Sequence, residues 1–158
     1  MNILVLCTGN SARSILLEHI LNAKGSGRVR AFSAGSQPAG QVHPQSLRLL
    51  QQLGYDTALA RSKSWDEFEG NAAPVMAAVI TVCASAAGET CPIWPGAPLR
   101  AHWGVEDPAA ASSSDWEVAF KTAYDILERR ATALLAHPIE DLSASEFQAA
   151  LENAGHVT

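Results

Sequence analysis

The sequence predicts a single-domain α/β fold, a four-stranded parallel sheet with helices on both faces. Three observations predict it. Strand-like apolar runs alternate with helical periodicity along the chain, the order that builds a parallel sheet. One run, residues 76–82, is almost continuously apolar, as a strand covered on both faces must be. The chain has 158 residues, 47% of them hydrophobic, enough for one domain with a real core.

The elements follow in order. Residues 3–6 read as a buried first strand. Residues 12–24 read as a helix, with Ile15, Leu16, Ile20 and Ala23 able to face a sheet, and Gly25-Ser26-Gly27 ends it. Residues 29–34 form a second strand closed by Gly35, and residues 36–42 a loop. Pro44 opens a helix that runs to Leu53, with Leu47, Leu50 and Leu53 as its apolar stripe and Gly54 as its stop. Ser64, with Glu67 three residues on, has the pattern of a capped short helix.

Residues 76–82 are the third strand, and residues 83–98, rich in Gly, Pro and small side chains, are expected to be irregular. Residues 99–103 form the fourth strand. After Asp107-Pro108 a long helix covers residues 115–136, with Trp116, Phe120, Tyr124, Leu127 and Leu134 on one side and Pro138 beyond its end. Residues 143–154 form a last helix, Ser143 and Glu146 repeating the cap pattern. The expected organisation is one main domain over residues 1–140 and a helical tail over 141–158 that carries no functional signal.

Bulk properties narrow the function. A net charge of −5 argues against nucleic acid as the main partner. No run of about 18 apolar residues exists to span a membrane. The chain enters a strand at once, with no basic segment or cleavage site before it, so no signal peptide is expected and the expected location is cytoplasmic. Three cysteines in such a chain point to catalysis or redox chemistry rather than a structural disulfide set.

Chemistry concentrates in Cys7-Thr8-Gly9-Asn10-Ser11-Ala12-Arg13-Ser14, between the first strand and the first helix. A strand, a short Gly-containing loop and a helix N-terminus make an anion cradle of inward N–H groups. Cys7 stands at its mouth, where a helix N-terminus and a cation both favour the thiolate. Arg13 can grip two oxygens of a tetrahedral oxyanion at once, which a lysine could not. Ser14 can donate a hydrogen bond to the sulfur. A buried apolar Cys would account for Cys7 alone, but not for a Cys and an Arg bracketing Gly, Asn and Ser. The Gly-Lys-Ser/Thr ending of a nucleotide P-loop is missing.

In a parallel sheet, ligands sit at the C-terminal strand ends, where this loop, Cys83 and Asp107 all fall. An oxygen expelled from the oxyanion leaves better if protonated, and Asp107 could serve as the general acid. Its alternative is a solvated turn before Pro108. Cys83 ends a buried strand and Cys91 follows eight residues later. A zinc site is disfavoured, because no second close Cys/His pair accompanies them. Two readings stay open: unrelated small buried side chains, or a thiol relay in which Cys83 reaches Cys7 and Cys91 reaches Cys83 if its loop rearranges. No metal and no cofactor are expected. His43, His102 and His137 read as structural, and Trp65 and Trp94 as either docking aromatics or core.

The loop resembles the signature of the low-molecular-weight protein tyrosine phosphatase superfamily: a Cys, five residues, then Arg-Ser. Within it, the chain is similar to the three-cysteine arsenate reductases. The likeness extends through Ser33-Ala34-Gly35-Ser36, His43-Pro44, Arg61-Ser62-Lys63-Ser64-Trp65, the stretch from Thr81 through Cys83 and Cys91 to Gly96, Ala101-His102-Trp103-Gly104 and Asp107-Pro108. Ala12 stands where phosphatases of this group commonly carry a second cysteine, and Ala84 where close relatives often have Asp. The resemblance implies the low-molecular-weight phosphatase fold, arsenate as substrate, Asp107 as acid and a Cys7–Cys83–Cys91 relay. It also implies an external thiol reductant, thioredoxin or else glutaredoxin or another thiol. The alternatives are a phosphatase that hydrolyses phosphomonoesters through a phosphocysteine, and a non-catalytic arsenite-binding or redox-sensing protein.

Overall fold

Strand β1 (Asn2–Cys7) lies inside a four-stranded sheet, between β2 (Arg30–Gly35) and β3 (Ala78–Thr81), with β4 (Leu99–His102) beyond β3. All three pairings are parallel. The computed structural model describes residues 1–88, 94 and 96–158. Strand order β2-β1-β3-β4 reverses the winding between β1 and β3. The segments leaving those two strands therefore part from each other and open a crevice at the C-terminal sheet edge.

Side chains along β1 alternate between two cores, as strand geometry requires. Ile3, Val5 and Cys7 join Ala78, Ile80 and Val82 in the larger core, under helices α1 (Arg13–Gly25), α2 (Pro44–Gln52), α4 (Trp116–Leu135) and α5 (Ala144–Gly155). Leu4 and Leu6 enter the smaller core with Val79, Phe68, Met76 and Trp94. Trp94 is thus a core residue, packed edge-on against the half-buried Trp65 with ring centroids 6.1 Å apart.

Helix α1 buries Ile15, Leu16, Leu17, Ile20 and Leu21. Ala23, expected to face the sheet, is exposed instead. Ala23 borders an open hollow with His19, Arg30 and Tyr55. Helix α2 buries Leu49 and Leu50, whereas Leu53 lies beyond its end and is exposed. Its cap is His43, whose Nδ1 accepts the Gln45 N–H at 3.0 Å. Ser64 caps the 3₁₀ turn Trp65–Phe68 by accepting the Asp66 N–H. Glu67 does not return to that cap, because Arg61 holds its carboxylate with two nitrogens at 2.6 and 2.9 Å.

A helix replaces the start of the segment expected to be irregular: α3 (Ala84–Gly88) begins directly after Cys83. Its sequence, Ala-Ser-Ala-Ala-Gly, favours helix, and Cys83 Sγ accepts the Ala86 N–H at 3.4 Å as a cap would. Helix α5 carries the full reciprocal cap of Ser143 and Glu146. It buries Phe147, Ala150, Leu151 and Ala154, and packs on β4 and α4. The Trp103 indole, fully buried, donates to Leu151 O at 2.9 Å. Among the described residues no helix is long and apolar enough to cross a membrane.

Candidate active site

The turn from β1 into α1 is shaped by what surrounds it. Gly35, at the end of β2, lets the turn pass: a Cβ there would lie 2.3 Å from Thr8 O. The loop carbonyls point outward into a shell of donors. Thr8 O accepts from Gln37 N at 3.0 Å. Gly9 O accepts from Ala39 N at 2.9 Å and Ser62 Oγ at 3.1 Å. Ser11 O accepts from His43 N at 3.0 Å and Ser46 Oγ at 2.9 Å.

A trans peptide directs its N–H opposite to its C=O. Those outward carbonyls therefore turn the N–H groups of Gly9, Asn10 and Ala12 inward. The Asn10 N–H reaches Cys7 Sγ at 3.3 Å. Asn10 adopts a left-handed backbone (φ 45°), a conformation asparagine tolerates better than most residues. Its side chain is fully buried, and its Oδ1 accepts the Lys63 N–H at 2.9 Å.

Cys7 is buried, with its sulfur 2.9 Å from Ser14 Oγ. Arg13, the first residue of α1, is mostly buried and spans the mouth of the turn. Its Nη1 donates to Val105 O at 3.0 Å and its Nη2 lies 3.8 Å from Asp107 Oδ2. The other carboxylate oxygen of Asp107 caps the turn Pro108–Ala110 through the Ala109 N–H at 3.1 Å. The structure thus brings Asp107 to the loop, half-exposed at the water side of the crevice.

Cys83 is also buried, at the neighbouring strand end. Val82 N donates to Leu6 O at 2.9 Å, so Cys7 and Cys83 each follow one partner of that bond. Thr8 Oγ1 stands 3.6 Å from Cys83 Sγ, which makes Thr8 the bridge between the two cysteines. Both are free thiols. Cys91 lies outside the described residues. Among the described residues no group of three His, Cys, Asp or Glu side chains is arranged to hold a metal ion.

Two charged residues at the site were not among those expected from the sequence. Lys63 and Glu18 lie behind the loop, Nζ and Oε2 3.9 Å apart, with the lysine nearly fully buried. Burial pulls the Lys63 ammonium below its ordinary pKa, and Glu18 opposes that shift. The matched run Arg61-Ser62-Lys63-Ser64-Trp65 carried this signal without revealing what the lysine touches. His43 packs its ring against Trp116 and Phe120, centroids 4.6 and 4.8 Å away. Burial lowers its pKa, and the nearby charge of Asp107 acts the other way.

The whole constellation can bind a tetrahedral oxyanion, attack it with sulfur, protonate a departing oxygen and present a second sulfur beside the first.

Comparison with known proteins agrees with this geometry. Residues 2–146 match the family described as low molecular weight phosphotyrosine protein phosphatase. An arsenate reductase of Halalkalibacterium halodurans is 33% identical over 128 residues, covering 79% of this chain and 88% of that protein. Among solved structures, an arsenate reductase from Archaeoglobus fulgidus superposes with a TM-score of 0.66 at 25% identity, over 85% of this chain and 99% of that one. A thioredoxin-dependent arsenate reductase of Corynebacterium glutamicum shares the fold, with a TM-score of 0.63 at 24% identity over 85% of this chain and 60% of its own.

Proposed function

This chain belongs to the low molecular weight phosphotyrosine protein phosphatase family, and from that premise we infer that it works as an arsenate reductase. The observation that carries the reading is the second buried sulfur, Cys83 Sγ, 3.6 Å from Thr8 Oγ1 and so next to the residue that follows Cys7. Hydrolysis of an ester needs one sulfur. Reduction of As(V) needs two electrons, which a pair of thiols supplies by closing to a disulfide.

Arsenate is held in the loop over residues 8–13 (Thr8, Gly9, Asn10, Ser11, Ala12 and Arg13), by its inward N–H groups and by the Arg13 guanidinium. The Cys7 sulfur attacks arsenic as the thiolate, with Ser14 donating to it. A sulfur–arsenic bond forms, and one oxygen leaves as water with a proton from Asp107. Cys83 then attacks the Cys7 sulfur. The sulfur–sulfur bond forms, the sulfur–arsenic bond breaks, and its electron pair stays on arsenic, which departs as arsenite. Cys91 takes Cys83 in turn, frees Cys7 and carries the disulfide away. An external thiol, thioredoxin in the first place, reduces the Cys83–Cys91 pair, and a cytoplasmic setting suits such a donor.

Phosphomonoester hydrolysis through a phosphocysteine is the second reading. It uses Cys7, Arg13 and Asp107 and leaves Cys83 idle. The test is arsenate-dependent NADPH oxidation with thioredoxin and its reductase, comparing wild type with Cys83→Ser and Cys91→Ser. The reductase reading expects turnover in the wild type and at most one turnover in either variant. Brisk aryl-phosphate hydrolysis that survives both substitutions, without arsenate-dependent oxidation by any thiol donor, overturns it.

A further inference from the structure

We propose that Arg130 is a positioning residue for the anion site: from α4 it fixes the peptide between Gly104 and Val105, the Val105 carbonyl beyond that peptide steadies Arg13, and the end of the chain after α5 holds Arg130 to this task. The proposal rests on the reading of Arg13 as the group that grips the oxyanion.

The link is built of short steps. Arg13 Nη1 donates to Val105 O at 3.0 Å, so the guanidinium stands where that carbonyl lets it stand. The peptide just before it, Gly104 C=O with Val105 N–H, is one rigid plane. Both of its polar groups are held. The Val105 N–H donates to Val82 O at 3.2 Å, and Gly104 O accepts from Arg130 Nη1 at 3.2 Å. Among the described residues, these three hydrogen bonds are the ones that tie residues 104–106. Gly104 and Glu106 are exposed, so packing does little to restrain the segment. Without the grip of Arg130, the plane hangs on Val82 O alone and the Val105 carbonyl can turn, taking Arg13 with it.

Arg130 is also held from its other side. It is buried on α4, and among the described residues its hydrogen bonds go to backbone carbonyls alone. A guanidinium taken from water is costly unless its N–H groups are met, and here no carboxylate is among the partners. The second carbonyl is Val157 O, which accepts from Arg130 Nε at 2.8 Å. Val157 follows α5, whose last turn lies tight on the end of β4. A Cβ at Gly155 would come within 2.7 Å of Trp103 Cδ1 and 3.1 Å of His102 O. Gly155 and Val157 lie past residues 2–146, the stretch that matches the family. The tail, which carries no functional signal as sequence, reaches the anion site through this one side chain.

The test measures binding of inorganic phosphate at equilibrium, so it needs neither turnover nor a reductant. Arg130→Gln is the informative variant. Its amide nitrogen sits as many bonds from Cα as arginine Nε does, so it keeps Val157 O in reach and loses Gly104 O. Phosphate affinity falls about fivefold, the worth of one net hydrogen bond. In an Arg13→Lys background, where the fork that serves Val105 O and the anion together is gone, the same substitution changes affinity by less than about twofold. A charge acting through space, or a general loosening of the fold, would cost the same in both backgrounds. Equal losses therefore overturn the proposal, as does an unchanged affinity in Arg130→Gln. A wild type that binds no phosphate overturns the reading of Arg13 as well. Circular dichroism checks folding. Should Arg130→Gln fail to fold, the wild type decides by nuclear magnetic resonance. Coupling between the two arginines is reciprocal, so saturating phosphate slows solvent exchange of the Arg130 Nε–H, and an unchanged exchange rate overturns the proposal.

Discussion

Arg13 and Asp107 face each other across the mouth of the β1–α1 turn, guanidinium Nη2 3.8 Å from carboxylate Oδ2. That distance is too long for a hydrogen bond, and Asp107 stays half-exposed while Arg13 does not. Val105 O, at 3.0 Å from Nη1, takes part of the guanidinium and aims the rest at the loop. In the proposed reaction the two groups have opposite tasks, one to hold negative oxygen and one to release a proton to it. Their spacing would let both reach one oxyanion without fusing them into one ion pair.

Arg13→Lys keeps the charge and loses the fork that serves Val105 O and the oxyanion together. The expected loss in kcat/KM for arsenate is about 10²–10³-fold, the usual range for removing one well-placed oxyanion donor. Asp107→Asn keeps the Ala109 cap and removes the transferable proton, lowering kcat by about 10²–10⁴-fold. Steady-state arsenate kinetics measures both.

Gly35→Ala tests the scaffold. The new Cβ would need the space of Thr8 O and would also meet Cys7 O at 2.9 Å. Backbone must move on both sides, at a cost of about 1–3 kcal/mol, or roughly 3–10 °C in Tm. The displaced turn should also bind arsenate or phosphate more weakly, and equilibrium binding of either anion checks it.

Much of this arrangement was legible in the residues. Apolar β1, the Gly-containing turn and the position of Asp107 after the last strand each follow from short-range pattern, and the parallel order follows from alternation. What pattern could not supply was contact across the sequence. Cys83 as a cap for α3, His43 as a cap for α2 and Arg61 taking Glu67 away from Ser64 all depend on which partner wins a local competition. Lys63 shows the limit most clearly. A lysine in a polar run reads as surface, and only the fold carries Glu18 and Ser33 to it.

Thr8→Val probes the bridge between the two sulfurs. The substitution keeps shape and removes the oxygen 3.6 Å from Cys83 Sγ. Loss of one hydrogen bond to the attacking thiol should slow formation of the Cys7–Cys83 disulfide about fivefold in a single turnover, while arsenate binding stays near wild type. Quenched-flow trapping of free thiols after mixing with arsenate separates the two. Equal slowing of the binding step would mean that Thr8 serves the anion and not the second cysteine.

His43 gives the fold an acid-sensitive joint. Its ring is packed against Trp116 and Phe120, its Nδ1 accepts the Gln45 N–H, and burial lowers its pKa from the ordinary 6.5. A proton on Nδ1 would abolish that cap. Below pH 6.5 the unfolded chain takes up a proton at this position and the native chain resists it. The unfolded state then binds more protons, so stability falls as pH drops from 6.5 toward the lowered native value and levels off beneath it. His43→Asn keeps a side chain able to cap α2 and removes the titration. Thermal melts between about pH 7 and pH 5 should therefore show a shallower decline of Tm in the variant than in the wild type. Parallel declines would place the acid sensitivity on other histidines and leave His43 as a packing residue alone.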